Sequence, residues 1–262
     1  MSSTVIPKKN PVPLDHNEAH NEAQRDYYRR EDLRRLRPGR TPTVDRHLER
    51  TLGATRPRPG EAILEVGAGL GRFTSLISEL GHPVVACDLS RELLDRLDAR
   101  KLAGVETHCC DAAEVAERTG QRFDTAVGFF VLHHLPDLAA FFRGLASVLE
   151  PGAHVAFCEP NAYHFPYYAQ ITFAPGMSWR GDGGVLRMRP GPVFAALRAA
   201  GFVDPEVDRY GFLPPALANS RTGGRIERML EAPDWLGPLR AYQIFRARMG
   251  GSDGSLSLHD GS

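Results

Sequence analysis

The sequence has no excess of either charge. Lys and Arg together number 32, as do Asp and Glu, so the formal net charge is zero. Proteins that bind DNA or RNA generally carry a basic excess, because the neutralisation of phosphates supplies much of their affinity. The charge balance therefore disfavours general nucleic-acid binding, and we expect no nucleic-acid partner.

Long hydrophobic runs and cysteine pairs are also missing. No apolar run approaches the roughly 18–20 residues that a membrane span needs, and residues 1–26 lack the apolar core of a signal peptide. The four cysteines form no C-x-x-C pair, and three of them lie in strand-like apolar runs, which predicts buried thiols rather than a disulfide framework. They are Cys87, Cys109, Cys110 and Cys158. These absences predict a soluble cytoplasmic protein with no membrane segment.

The composition itself is that of an ordinary globular chain. Of the 262 residues, 42% are hydrophobic and 24% are charged, which suffices for one large domain and excludes disorder over the whole chain. We predict a flexible N-terminus and helical cap over residues 1–55 and a main domain over 56–248. The Gly- and Ser-rich residues 249–262 are predicted to be a disordered tail.

Strand-like and helical spacings alternate through the first half of the main domain. The strand-like runs are Ala62–Val66, Pro83–Asp88, Val105–Cys109, Phe123–Phe129 and His154–Glu159. The helical segments between them are Arg72–Leu80, Ser90–Leu102, Ala112–Arg118 and Leu138–Leu149. Such alternation predicts an α/β fold, a doubly wound and mostly parallel sheet with helices on both faces.

After the fifth strand the alternation stops. Residues 161–190 contain aromatic residues, Gly and Pro without a clean period, and a helix over Gly191–Ala200 follows. Two further strands fit Val203–Arg209 and Arg240–Arg248, with residues 214–236 inserted between them and helical spacing in Gly224–Leu230. We therefore predict seven strands, with residues 161–190 and 214–236 as lid insertions.

The most informative stretch is the glycine turn that follows the first strand. It contains Glu65, Gly67, Ala68, Gly69 and Gly71, in the pattern E-x-G-x-G-x-G. Such a turn brings backbone N–H groups and a helix N-terminus against a ligand. A dinucleotide site prefers G-x-G-x-x-G, and Arg72 occupies the position of its third glycine. An NAD(P) oxidoreductase is therefore the weaker interpretation.

Between about Glu61 and Phe212 the chain resembles a class I S-adenosylmethionine-dependent methyltransferase with a Rossmann-like fold. The resemblance implies that Glu65, Gly67, Ala68, Gly69 and Gly71 hold the methionine end of S-adenosylmethionine. It further implies cofactor contacts from residues at later strand ends and in the N-terminal segment. Asp88 would accept from the ribose hydroxyls, Leu89 would lie on the adenine face, Asp111 and the Ala112 N–H would meet the adenine edge, and Phe129 and Tyr28 would complete the site.

The segment after the fourth strand separates the branches of that family. It lacks the motif that is typical of DNA and RNA amino-methyltransferases, an acidic or Asn residue followed by two prolines and an aromatic residue. It also lacks the Asp that holds a divalent ion in catechol-type members. The resemblance thus indicates the metal-independent, small-molecule branch, and we predict no metal site. His133 is a candidate base because imidazole titrates near neutral pH. The alternative for His133 and His134 is a packed, hydrogen-bonded role.

Further acceptor contacts are predicted from the segment that follows the fifth strand. Glu159 and His164 are candidate catalytic or orienting groups beside His133. Aromatic residues suit an apolar or aromatic acceptor, although each of them alone is as well explained by packing. The predicted acceptor contacts are Tyr27, Phe130, Tyr163, Tyr167, Tyr168 and Trp179. The arginines in residues 24–30 leave a phosphate-bearing acceptor as an alternative.

These observations predict methyl transfer to an O, N or C nucleophile of a small, aromatic or apolar metabolite by a monomer or homodimer. By resemblance, natural-product biosynthesis fits the elaborate lid. Two alternatives stay open. One is an enzyme that binds the same cofactor for other chemistry, such as cyclisation, and the other is a non-catalytic cofactor-binding module.

Overall fold

The computed structural model describes residues 38–173 and 177–251. The predictions for Tyr27, Tyr28 and the rest of the N-terminal segment lie outside the described residues, as does nearly all of the predicted tail.

Seven strands form one sheet. They are β1 (Ile63–Val66), β2 (Val84–Asp88), β3 (Val105–Cys109), β4 (Phe123–Phe129), β5 (Leu149–Pro160), β6 (Phe202–Tyr210) and β7 (Tyr242–Met249). Their spatial order is β3-β2-β1-β4-β5-β7-β6. Neighbouring strands pair in parallel from β3 to β5, whereas β7 is antiparallel to both β5 and β6. The carboxyl ends of six strands consequently meet at one edge of the sheet.

Ten α-helices occur in the described ranges. They are α1 (Pro42–Thr55), α2 (Arg72–Glu79), α3 (Arg91–Asp98), α4 (Val115–Thr119), α5 (Leu138–Ser147), α6 (Phe165–Phe173), α7 (Trp179–Asp182), α8 (Pro190–Ala199), α9 (Pro215–Ala218) and α10 (Arg221–Glu231). Side-chain caps start several of them. The Ser90 hydroxyl accepts from the Leu93 N–H at the start of α3, and Asp137 accepts from the Ala140 N–H at the start of α5. These caps satisfy N–H groups that have no partner within the helix.

The sheet separates two hydrophobic clusters. One face packs on α1, α2 and α3, through residues such as Leu48, Phe73 and Leu97. The other face packs on α4, α5 and α8, through residues such as Phe142 and Leu197. The helix α1 is therefore part of the packed structure rather than a separate cap.

Every predicted strand is present, and the predicted doubly wound α/β fold is confirmed. The boundaries differ most at β5, which begins at Leu149 rather than His154. The predicted helix Ala112–Arg118 is split into a 3₁₀ turn, Ala112–Glu114, and α4. Residues 161–190 contain α6, α7 and the 3₁₀ segment Gly183–Arg187, which contact one another and the 3₁₀ turn after β4 and share no repeating apolar face.

Candidate functional site

The glycine turn between β1 and α2 is held in a conformation that suits glycine. Gly67, Gly69 and Gly71 have φ values of 73°, 55° and 73°. A Cβ atom added to Gly67 would lie 2.6 Å from Val131 Cγ2, whereas one added to Gly69 would meet no atom within 4 Å. The Gly67 position thus requires close backbone approach. At Gly69 the turn borders open space at the carboxyl edge of the sheet, where α/β proteins bind their ligands.

Asp88, at the end of β2, connects that turn to the next helix. Its Oδ2 accepts from the Gly69 N–H at 2.9 Å, and its Oδ1 accepts from the Ser90 N–H at 2.8 Å. Burial raises the pKa of Asp88 above its usual value, while the N–H groups of Ser90, Gly69 and Leu89 oppose the shift. A carboxylate has about four lone-pair sites, so these three N–H contacts leave acceptor capacity on Asp88. The carboxylate can therefore accept further hydroxyl groups.

Glu65 lies beneath the glycine turn and is 2% exposed. Its Oε2 accepts from the Thr74 hydroxyl at 2.6 Å. Burial raises the pKa of Glu65 to about 8; the Thr74 hydrogen bond opposes this shift and the charge of Asp88 adds to it. A carboxyl group in this position favours a nearby positive charge, because such a charge stabilises its ionised form.

The end of β3 contributes a mixture of exposed and buried groups. Asp111 is exposed, Ala112 is 3% exposed and Leu89, across on the β2 side, is partly buried. They follow the ends of adjacent strands, since Asp88 pairs with Cys109 in the parallel register. The structure thus brings the predicted adenine-side residues to the same edge as the glycine turn.

Phe129 and Phe130, at the end of β4, point to different surroundings. The Phe129 ring stacks on Phe73 with 3.8 Å between ring centroids and is 6% exposed, so it belongs to the core. The predicted contact of Phe129 with the cofactor stays a prediction. Phe130 has φ 57° and is only partly buried, and its ring lies edge-on to His47 at 5.1 Å.

The candidate base His133 is tied to Glu159 in the interior. Their Nδ1 and Oε2 atoms are 2.6 Å apart, and the side chains are 3% and 0% exposed. The other oxygen of Glu159 accepts from the N–H groups of Val131 and Leu132 at 2.8 and 2.7 Å. Both oxygens of Glu159 are therefore engaged in shaping the segment after β4. This geometry contradicts an acceptor-facing catalytic role for Glu159 and favours the packed alternative for His133.

His164 is likewise held by the backbone of the segment just before β7. Its Nδ1 lies 2.8 Å from the Leu239 carbonyl oxygen, and its side chain is 8% exposed. Burial lowers the pKa of His164, and the Leu239 carbonyl partly offsets this. Asn161 makes a similar connection, since its Nδ2 donates to the carbonyls of Pro238 and Arg240. His164 and Asn161 thus tie the first insertion to the segment just before β7, and the catalytic role of His164 stays a prediction.

The predicted acceptor-contacting aromatic residues remain accessible in part. Tyr163 is 45% exposed and Trp179 is 48% exposed, while Tyr167 and Tyr168 are partly buried. The rings of Trp179 and Tyr168 are nearly parallel, with centroids 5.9 Å apart, and the Tyr168 hydroxyl donates to the Ala162 carbonyl. Tyr168 and Trp179 thus form a stacked pair in the first insertion, and the acceptor contacts of all four residues stay predictions.

Sequence reasoning missed a second aromatic group on the α1 side. His47 is 4% exposed and packs edge-on to Tyr242, and its Nδ1 lies 2.7 Å from the Tyr210 hydroxyl. Burial lowers the pKa of His47 to about 3, with the charges of Arg46 and Arg72 adding to the effect. His47 is therefore neutral at physiological pH. A histidine among the apolar positions of a helix was the available signal.

A cluster of charges anchors the second insertion. Arg46 Nη2 donates to Glu231 at 2.5 Å, and Glu227 accepts from the N–H groups of Phe212 and Leu213 at 3.1 and 2.9 Å. Glu231 also accepts from the Gly211 N–H, and Arg46, with this backbone contact, lowers its pKa although burial acts in the opposite direction. The segment after β6 is thereby held against α1.

Two kinds of feature are not found in the described ranges. In residues 38–173 and 177–251, no three His, Cys, Asp or Glu side chains lie close enough together to hold a metal ion. No helix in those ranges has the length and hydropathy to cross a bilayer.

Comparison with known proteins places the chain in a family. The family model described as a methyltransferase domain matches residues 26–203. A demethylmenaquinone methyltransferase of Corynebacterium kroppenstedtii is 33% identical over 44% of this chain and 48% of its own length. A ubiquinone biosynthesis O-methyltransferase of Ruegeria pomeroyi is 29% identical over 69% of this chain and 76% of its own length. An Escherichia coli tRNA 5-carboxymethoxyuridine methyltransferase is 31% identical over 44% of this chain and 46% of its own length.

Among solved structures, the phosphoethanolamine N-methyltransferase 2 of Haemonchus contortus, in complex with S-adenosylhomocysteine, superposes with a TM-score of 0.53. It is 20% identical, over 82% of this chain and 54% of that chain. This chain therefore spans about half the length of the Haemonchus, Corynebacterium and E. coli proteins.

The chain belongs to the class I S-adenosylmethionine-dependent methyltransferases. Membership confirms the predicted family and its cofactor, S-adenosylmethionine.

Proposed function

We propose that this protein transfers a methyl group from S-adenosylmethionine to an O, N or C nucleophile of a small acceptor with an aromatic or apolar body. The observation that carries the proposal is the arrangement at the ends of β1 and β2. There the open side of the Gly69 turn, the Asp88 carboxylate and buried Glu65 come together at one sheet edge.

These residues fit the proposed cofactor chemically. Asp88 has acceptor capacity for ribose hydroxyls beyond its bonds to Gly69 and Ser90. Glu65 lies under the turn that would hold the methionine end, where a positive charge lowers the cost of its ionisation. Asp111 and the Ala112 N–H stand at the next strand end for the adenine ring. The bound cofactor supplies an activated methyl group on a sulfonium.

The protein's own contribution is then orientation and exclusion of water. Holding donor and acceptor near 3 Å in line can supply several kcal/mol of the barrier. We propose that the two insertions form the lid, because the hydrogen bonds of Asn161 and His164 tie the first insertion to residues 238–240, which directly follow the second. Phe130, Tyr163, Tyr168 and Trp179 present ring surface along that lid, which supports an acceptor with an aromatic or apolar body.

The histidine proposed to orient the acceptor is not His133, the candidate base from the sequence. Glu159 engages His133 in the interior, whereas His47 and Tyr242 lie beside Phe130. The Nε2 atom of His47 has no hydrogen-bond partner in the described part of the chain. Neutral His47 is suited to orient an acceptor through that atom, and a depressed pKa makes it a weak base.

The first test is calorimetric titration of S-adenosylhomocysteine into wild type and Asp88→Ala. Loss of hydrogen bonds to a charged group costs about 1.5–3 kcal/mol, so affinity should fall roughly tenfold or more. Asp95→Ala is the matched control, since Asp95 is an exposed carboxylate on the following helix α3. If wild type and Asp88→Ala bind S-adenosylhomocysteine with equal affinity, Asp88 does not contact the cofactor, and the proposal loses this part of its support.

A second measurement addresses the acceptor and the reaction. The protein is incubated with methyl-labelled S-adenosylmethionine and either a panel of small phenols, amines and acids or bulk tRNA. Label in a small molecule, with a mass increase of one CH₂, supports the proposal. Label in tRNA alone would overturn the small-molecule assignment, and a changed product of unchanged mass would indicate cyclisation or another non-methylating reaction.

A further inference from the structure

A row of polar side chains crosses the last three strands at the carboxyl edge of the sheet. Glu159 of β5 pairs with Gln243 of β7, and Gln243 pairs with Arg209 of β6. Directly paired residues of antiparallel strands place their side chains on the same face, about 4.5–5.5 Å apart at Cβ. The row therefore runs from the interior of the sheet to its β6 edge.

Two of the three members keep unused polar atoms. Glu159 is engaged with His133. Gln243 is 0% exposed and its Nε2 donates to the carbonyls of Pro160 and Met188, but its Oε1 is buried without a partner. The Nε of Arg209 is also buried without a partner. At the outer end of the row, the surrounding protein groups thus leave hydrogen-bonding atoms of Gln243 and Arg209 without a partner.

Arg209 differs from the other partly buried arginines in its surroundings. Its guanidinium makes no ion pair and no hydrogen bond with any described residue, and its terminal nitrogens retain contact with solvent. By contrast, Arg46 is paired with Glu231, and the terminal nitrogens of Arg240 donate to the carbonyls of Arg209 and Glu231. Burial lowers the pKa of Arg209, and among charged or titratable neighbours only Tyr163 opposes this.

A half-buried cation without an anion is unfavourable, because burial removes hydration that nothing replaces. A planar guanidinium with free terminal nitrogens matches the two oxygens of a carboxylate or phosphate group. The Tyr163 ring lies 5.8 Å from Arg209 Cζ and forms one wall of this position. Asn161 fixes that wall, since its Oδ1 accepts from the Tyr163 N–H.

We propose that Arg209, with Tyr163 beside it, binds an anionic oxygen group of the acceptor, either a carboxylate or a phosphate monoester. Arg209 precedes the last residue of β6, at the edge where the carboxyl ends of β1 and β2 also lie. As a part of the acceptor site, this position depends on the proposed function. It narrows the substrate class from apolar molecules in general to those that have an acidic group at one end.

The test uses the ¹⁵N-labelled full chain saturated with S-adenosylhomocysteine. Arginine side-chain N–H signals are followed by NMR while benzoate, phenyl phosphate or neutral benzamide is added. The Arg209 signal is assigned by its loss in Arg209→Gln. We expect at least one anion to shift this signal saturably, with benzamide leaving it in place. Benzoate and phenyl phosphate distinguish a carboxylate site from a phosphate site.

Variants connect the shift to the guanidinium. Calorimetric titration of the anion into wild type and variants gives the affinities, since the variants at Arg209 lack its signal. Arg209→Gln should weaken binding of the anion at least tenfold, because a charge-assisted hydrogen-bonding group is lost. Arg198→Gln is the matched control, since Arg198 also lies over an aromatic ring, Phe194, at 5.7 Å, but is exposed on α8. The affinity of Arg198→Gln for the anion should differ from that of wild type by less than twofold. Arg209→Lys keeps the charge without the planar fork and should lie between the two.

Each result decides between the two proposals. If neither anion shifts the Arg209 signal, or if Arg209→Gln binds as well as wild type, the subsite does not exist. Should Arg209→Gln fail to fold by circular dichroism, the wild-type titration and Arg209→Lys decide by the same criteria. Binding of S-adenosylhomocysteine without anion binding removes only the subsite, whereas failure of S-adenosylhomocysteine to bind counts against the proposed function.

Discussion

The ends of β1 and β2 and the ends of β5, β6 and β7 hold their polar side chains in different ways. Around β1 and β2 the partners are near in sequence: Glu65 contacts Thr74, 9 residues away, and Asp88 contacts Ser90 and Gly69, 2 and 19 residues away. Around β5 to β7 the partners are distant, as in the bonds from Asn161 to Arg240 and from Gln243 to Pro160, over 79 and 83 residues.

This difference has a physical origin in the topology. A parallel strand that is followed directly by a turn and a helix brings together polar groups that are close in sequence. The strand β7 lies between β5 and β6 in space although it is last in the chain. Its neighbours are therefore set by tertiary packing, and the same residue types there become structural ties or ligand contacts according to what surrounds them.

The largest expected effect tests whether Glu159 is such a tie. Glu159→Ala leaves His133 and the N–H groups of Val131 and Leu132 without their buried acceptor. We expect the free energy of unfolding to fall by about 3–5 kcal/mol, measured by urea denaturation. Glu206→Ala, which removes an exposed pair with Arg246, should change it by less than about 1 kcal/mol. A Glu159→Ala variant that is as stable as wild type would show that the buried hydrogen bonds of Glu159 do not stabilise the fold.

The next effect concerns the local unit. Gly67→Ala places a Cβ against Val131 at a φ of 73°, whereas Gly69→Ala has a φ of 55° and meets no atom within 4 Å. Left-handed backbone costs both variants about 1–2 kcal/mol, and only Gly67→Ala adds the clash. Thermal and urea unfolding should therefore rank Gly67→Ala clearly below Gly69→Ala. Equal stabilities would show that the turn relaxes freely.

Glu65 gives a pH-dependent version of the same test. Its pKa is raised from 4.5 to about 8, so the folded chain binds the proton more tightly than the unfolded chain. Its contribution to the free energy of unfolding consequently falls as pH rises from about 4.5 to about 8, by at most about 1.4 kcal/mol per pH unit. The stability difference between wild type and Glu65→Gln should follow that slope.

The control for this experiment is Glu92→Gln, at an exposed position of α3. The difference in the free energy of unfolding between wild type and Glu92→Gln should not fall in this way as pH rises. If the Glu65→Gln difference were also constant between pH 5 and pH 8, the buried carboxyl would not be protonated in the folded chain.

The smallest effect concerns the stacked aromatic pair of the first insertion. Trp179 is half-exposed and stacks on Tyr168, so Trp179→Ala should lower the free energy of unfolding by only about 0.5–1.5 kcal/mol. Trp235→Ala, at a position 77% exposed, is the control and should have less effect. A loss above about 3 kcal/mol would place Trp179 in the core rather than on a lid, and urea denaturation measures it.

Much of the local unit was predictable because period and turn chemistry are local properties. The glycine turn, the acid at the end of β2 and the cap at Ser90 follow from residues within one strand–turn–helix segment. The pairing of Glu159 with His133 was not predictable in this way, since residue type alone does not distinguish a buried tie from an acceptor-facing group. Residues 161–190 gave no period because their short helices rest on several different elements.

The sequence by itself determined the alternation of strands and helices, the glycine turn and the order of acids along the first three strand ends. These depend on backbone preferences and hydrophobic period over a few residues. Only the tertiary structure decided that Glu159 and His164 are buried and hydrogen-bonded, that the Phe129 ring is part of the core, and that His47 and Arg209 reach the carboxyl edge. The surroundings of His47 and Arg209 depend on β7 entering the sheet between β5 and β6, a long-range packing event that no local pattern encodes.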